Sequence, residues 1–159
     1  DAAKNYEEAL KLETELNDQV GLGGVLLNYG NMLASQGKYD KALEITKRAL
    51  QIELQLGDET TQSICLNNIG SLYVEQGHYD EALTYFQRTL DLQQKLNLTP
   101  DTARSLNNIA ETYLRTGKMD KALDNYLKAL EVSRTTGDKG LIAQTSDGMA
   151  QLFALQGRF

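Results

Sequence analysis

The stretch Leu66 to Leu90, LNNIGSLYVEQGHYDEALTYFQRTL, decides the fold. Leu66, Ile69, Leu72 and Tyr73 recur at helical spacing before Gly77, and Ala82, Leu83, Phe86, Leu90 and Leu92 recur after it. Two amphipathic helices hinged at a glycine are expected. Gly77 suits the left-handed residue that ends a helix; a basic residue after it, here His78, suits the helix end, and the acidic Asp80 suits the next helix start. Gly70 and Ala82 are small enough for two helices to approach, with Tyr73 and Phe86 filling the space beside them.

The rest of the chain repeats this phrase. Gly37, Gly77, Gly117 and Gly157 recur every 40 residues, and Asp40, Asp80 and Asp120 follow in the same register. Ala-Leu pairs stand at 42–43, 82–83 and 122–123, while Leu26, Leu66 and Leu106 align upstream. Asp18, Asp58 and Asp138 occupy expected N-cap positions, and Thr99-Pro100 is read as the equivalent cap and first-turn proline. The expected domains are a second-type helix over residues 1–17, repeats over 18–57, 58–97 and 98–137, and a first-type helix over 138–159. In the opening helix Ala2, Tyr6, Ala9 and Leu10 match Ala42, Thr46, Ala49 and Leu50. The chain opens on Asp1 rather than Met and is read as a fragment. Its last helix is strongly apolar (Leu141, Ile142, Met149, Leu152, Phe153, Leu155), which predicts continuation beyond Phe159 or packing against a second copy.

Composition narrows the function. At 159 residues, 41% apolar and 24% charged, the chain can bury a core of its own. A net charge of −6 weighs against nucleic acid and anionic membrane, which need clustered cations. No apolar run approaches the ~18–20 residues that a bilayer crossing needs. Cys65 is the only cysteine and His78 the only histidine, so no intrachain disulfide forms and a His/Cys zinc cage is excluded. A reduced, cytoplasmic setting is expected, with no catalytic residues, no cofactor and no metal. Gly21-Leu22-Gly23-Gly24 lacks the strand and the Lys-Ser/Thr of a phosphate loop.

The central unit resembles the tetratricopeptide pattern, with Leu66, Ile69, Gly70 and Tyr73 in its first places and Ala82 and Phe86 in the next. Leu106, Ile109, Ala110, Tyr113, Ala122 and Tyr126 repeat it; Leu26, Tyr29, Gly30, Leu33 and Ala42 do so with Thr46 in place of the aromatic. The usual tryptophan is leucine, the closing proline is absent, and the repeat exceeds the usual ~34 residues, so longer helices are expected. This long form, with its LNNIG and LNNIA strings, is similar to the tetratricopeptide domains of kinesin light chains, Pins-family adaptors and bacterial peptide-pheromone receptors. The resemblance implies an all-α, right-handed superhelical solenoid of antiparallel hairpins that binds an extended polypeptide segment in its inner groove.

Asn28, Asn68 and Asn108 occupy one position in three repeats, with Asn67 and Asn107 beside two of them. They lie off the Leu66–Ile69–Tyr73 face and, by the resemblance, toward the groove. A carboxamide matches the donors and acceptors of a peptide backbone, and Asn costs ~0.5 kcal/mol against Ala in a helix. The alternative is that they tie hairpins together. The expected groove also holds Asn31, Ser71, Glu75, Arg104, Glu111, Arg115, Asp147 and Gln151, with Arg104 and Arg115 at one end as receivers for a carboxylate. A chaperone-tail clamp is disfavoured, because Leu27 and Asn108 stand where it needs cations. Self-association through the last helix, and a sensor role within a larger signalling protein, are the alternative functions.

Overall fold

The structure, a computed structural model, describes residues 18–157 together with Tyr6, Glu8, Ala9, Lys11 and Leu12. Among the described residues all regular structure is helical. It comprises α1 Gln19–Ser35, α2 Tyr39–Leu56, α3 Glu59–Glu75, α4 Tyr79–Lys95, α5 Thr99–Arg115, α6 Met119–Thr136 and α7 Lys139–Leu155. Each runs 17 or 18 residues, the longer helices that the 40-residue spacing implies. The opening helix expected over residues 1–17 lies largely outside the described residues, as do Arg158 and Phe159. Tyr6 is helical, and its ring stacks on Tyr29 at 5.4 Å between centroids.

The turns account for the regularity. Gly37, Gly57, Gly77, Gly117, Gly137 and Gly157 all have φ between 66° and 78°, and Asn97 has φ 57°. A left-handed residue therefore stands every 20 positions, at both kinds of turn. After α1, Gly37 N–H bonds the Ala34 carbonyl (2.9 Å) and Lys38 N–H bonds that of Leu33 (3.0 Å), which is the Schellman arrangement. His78 N–H to Tyr73 and Lys118 N–H to Tyr113 repeat it after α3 and α5. The other turns close in the same way, through Asp58 to Glu53, Leu98 to Gln93 and Asp138 to Ser133. Asn replaces Gly at 97 because its short polar side chain tolerates the left-handed region best among residues with a Cβ.

Helix starts follow the sequence with one correction. Asp18, Asp58 and Asp138 accept from the backbone N–H of Gly21, Thr61 and Leu141, each at 3.0 Å. Thr99 does not cap α5. Leu98 is the N-cap residue and makes no side-chain bond, while Thr99 and Pro100 already belong to the helix. Proline brings no N–H to the first turn, so one fewer donor there lacks a partner.

The backbone divides into two compact units, residues 1–78 and 79–159. In the first, Leu33, Ala42 and Leu72 form a buried cluster across α1, α2 and α3, flanked by Tyr29, Met32 and Tyr39. A Cβ on Gly30 would meet Thr46 Oγ1 at 2.5 Å, so the first repeat joins a glycine to a threonine where the others use an aromatic. In the second unit Ala110, Ala122, Tyr126 and Leu152 are buried together, with Tyr113, Met149 and Phe153 packed against them. The apolar character of α7 thus has in part an internal cause, while Ile142, Met149 and Phe153 are only half-buried. Leu141 and Leu152 are buried, and Leu155 is the large side chain left exposed. The Tyr126 ring lies where a Cβ on Gly148 would be, at 2.6 Å, so that position admits only glycine at this separation.

Two glycines separate backbone from packing. A Cβ on either Gly117 or Gly24 meets nothing within 4 Å, but Gly117 has φ 72° and Gly24 lies inside α1. Gly117→Ala is expected to cost about 1–2 kcal/mol, and Gly24→Ala to stabilise by about 0.5–1 kcal/mol. Chemical denaturation of both variants checks the contrast.

Candidate functional site

In the first unit four of the expected site residues converge. Asn31 on α1 and Asn68, Ser71 and Glu75 on α3 line one hollow of about 240 Å³, with Gly30, Ala34 and Leu72 as its apolar part and Ser35 and Tyr39 at its edge. Asn68 Nδ2 donates to Asn31 Oδ1 at 2.9 Å. Of the groups on this pair, that bond leaves both N–H of Asn31 and one N–H and the carbonyl of Asn68. The Ser35 and Ser71 hydroxyls donate to carbonyls of their own helices, Met32 at 2.7 Å and Asn67 at 3.1 Å, so their oxygens face the hollow as acceptors. Tyr39 Oη reaches Glu75 Oε2 at 3.4 Å, and Gln76 Nε2 donates to Asp40 at 2.7 Å, bracing the start of α2 against the end of α3. Behind them Lys47 Nζ donates to Tyr73 Oη at 2.9 Å. Asn28 is exposed and is not among the residues lining the hollow, whereas Asn67 is half-buried.

The second unit holds the remaining expected residues in a different condition. Asn107 is 3% exposed, and its Oδ1 is buried without a hydrogen-bond partner, so it belongs to the interior rather than to a surface ladder. Arg104 pairs with Asp101 at 2.9 Å and Arg115 with Glu111 at 2.8 Å, each within its own helix and exposed. Eleven residues of helix place the two arginines about 16 Å apart, so they do not converge on one carboxylate as expected. Asn108 is half-buried, and its backbone carbonyl accepts from Thr112 Oγ1 at 2.7 Å. Asp147 and Gln151 are exposed on α7, and Gly148 takes the place that asparagine holds in the three preceding repeats. Tyr113 borders two further hollows: one also lined by Leu83, Gln87, Arg88 and Ile109, the other by Asp120, Lys121, Asp124 and Asn125.

The sequence matches the family model described as tetratricopeptide repeat over residues 22–95 and 101–159. The chain belongs to the tetratricopeptide repeat family. Tetratricopeptide domains bind proteins and peptides and are typically non-catalytic. No curated protein sequence matches it significantly. Among solved structures it is similar to BtubC (BKLC) from P. vanneervenii, with 21% identity and a TM-score of 0.81 over 98% of this chain and 64% of that one. It is similar to a Rap protein complexed with competence and sporulation factor, with 19% identity and a TM-score of 0.77 over 96% of this chain and 48% of that one. It is also similar to a putative kinesin light chain of Podosopora anserina with nearly identical TPR-like repeats, with 13% identity and a TM-score of 0.81 over 98% and 77%. The chain spans less than two thirds of the first two of these proteins.

One tetratricopeptide position carries chemistry that the repeat pattern did not reveal. Glu53 on α2 is 4% exposed and stands where the next two repeats have Gln93 and Ser133. Its carboxylate lies against Gly23, where any Cβ would collide with it. Burial raises its pKa above the ordinary glutamate range, and the nearby Asp58 charge adds to the rise. Asp58 moves the other way, held low by the backbone and hydroxyl of Thr61. The thiol of Cys65 is fully buried and pushed up to about 12, by burial first and then by Glu53 and Asp58, which makes it unreactive. Among the described residues no three His, Cys, Asp or Glu side chains gather as metal ligands, and no helix is long and apolar enough to cross a membrane.

A raised carboxylate pKa favours the folded state at low pH, and that advantage is lost as pH rises through the folded value. Glu53→Gln, which copies Gln93, is therefore expected to raise the melting temperature at pH 7, with the gain shrinking on acidification toward the ordinary glutamate range. Melting curves from pH 4 to 8 check both the sign and the slope. Asn107→Ala removes an acceptor that lacks a partner and improves helix propensity, so its stability is expected to stay within about 1 kcal/mol of wild type. A surface role for Asn107 would instead appear as lost binding.

Proposed function

We propose that the protein is a non-enzymatic binding module that holds an extended polypeptide segment against α1 and α3, with Asn31 and Asn68 gripping the segment's backbone. The Asn31–Asn68 pair at the 240 Å³ hollow carries this reading. An extended segment presents N–H and C=O groups that no helix or sheet has satisfied, and the pair offers both donors and an acceptor. Each amide fixes the other, so less side-chain freedom is lost when the segment arrives. The same bond ties α3 to α1, so the structural and recognition roles of these asparagines are compatible. A neighbour of the same fold, the Rap protein, was solved in a complex with another factor, which agrees with a binding role.

A displayed library of random linear peptides selected on the wild-type protein tests the reading. Binders are expected, and the Asn31→Ala, Asn68→Ala double variant should weaken them about tenfold, the worth of roughly 1.4 kcal/mol of hydrogen bonding. Its melting temperature should stay within about 2 °C, because a lost exposed bond is offset by better helix formers. Undiminished affinity, or a variant that no longer folds, would contradict the proposal.

A further inference from the structure

We infer that the hollow of the first unit selects an arginine side chain from the bound segment. The inference rests on the peptide-binding reading and names what that site takes. Among the residues lining the hollow, Glu75 is the one acidic side chain, and none is basic. Its carboxylate meets the Tyr39 hydroxyl at 3.4 Å on Oε2, the outer limit of a hydrogen bond, which leaves acceptor capacity for a cation. An acidic side chain would be repelled, and an apolar one would strip water from the carboxylate without replacing it.

The remaining groups discriminate among cations. Acceptors lie in several directions around the space: the Glu75 carboxylate, the Asn68 carbonyl, and the Ser35 and Ser71 oxygens, whose protons already serve their own helices. Arginine carries five N–H donors in a planar fork that pairs with a carboxylate through two bonds and keeps others for neighbouring acceptors. Its plane can also lie on the Tyr39 ring at the edge. Lysine presents a compact, strongly hydrated charge that satisfies the carboxylate but not the spread of acceptors. Ala34 and Leu72 supply apolar surface for the methylene stem, which lets the charged end sit beside Glu75 while the rest stays dry. The single methyl at Ala34 leaves room beside this stem.

Parallel selections of a random linear peptide library on wild type and on Glu75→Gln test the inference, followed by calorimetry of the best wild-type binder and its variants. Arginine should be enriched at one position on wild type and not on Glu75→Gln. Replacing that arginine by citrulline, which keeps the shape and removes the charge, should weaken binding to wild type at least tenfold and leave binding to Glu75→Gln little changed. Lysine should fall between the two. Binders that depend on Asn31 and Asn68 but show no arginine enrichment, or a citrulline or lysine peptide that binds as well as the original, would overturn the arginine inference alone. If no peptide is selected at all, the binding reading beneath it fails as well.

Discussion

A left-handed residue every 20 positions is the constraint on which the rest of this structure depends. At 37, 57, 77, 97, 117, 137 and 157 the backbone takes positive φ, and wherever it does so between helices the following N–H reaches back to the carbonyl five residues earlier. Such a turn satisfies orphan carbonyls at the helix end and reverses the chain within a few residues. Equal spacing then gives helices of nearly equal length, so within each unit corresponding stretches of neighbouring helices are brought into register. Packing could not enforce this alone, because apolar faces of the same composition tolerate sliding. The turns set the register, and the cores at Ala42 and Ala122 fill what the register leaves.

Register also explains where the hollow falls. Contacts between α1 or the start of α2 and α3 join residues 36 or 37 apart: Asn31 with Asn68, Tyr39 with Glu75, Asp40 with Gln76. Equivalent positions lie 40 apart, so the helices are displaced by about one turn. Asn28 therefore does not bond Asn68 although it aligns with it. Small side chains at Ala34, Ser35 and Ser71 meet at this offset, and the space they leave is the hollow.

The fold was legible because it is written several times over, and a repeated pattern in phase survives the loss of a single element such as the aromatic at Thr46. The glycines at 57 and 137 were equally visible but were overshadowed by the aspartates beside them, and Asn97 hid the spacing because only its backbone resembles glycine. With no Asp at 98, the polar Thr99 looks like the α5 cap, although Leu98 holds that position. The site was legible only in part. Asn31, Asn68, Ser71 and Glu75 come together because they lie on adjacent helices within one unit. Asn107 differs from Asn67 in burial although the two share a neighbourhood in sequence, and a repeat alignment carries no information on the depth of one side chain. Arg104 and Arg115 share a helix, where distance follows from the rise per residue, and each finds a carboxylate one turn away before any ligand arrives. Glu53 had no signal beyond its departure from Gln93 and Ser133.

The central claim is that the Asn68 amide bonds a peptide backbone, and a double-mutant cycle tests it most directly. Asn68→Ala in the protein is combined with single amide-to-ester replacements along a selected peptide, each of which removes one backbone N–H and keeps the chain's shape. The account predicts one ester position whose cost falls by about 1 kcal/mol when Asn68 is alanine, the coupling of one hydrogen bond. Costs that add independently at every position of the peptide would contradict it.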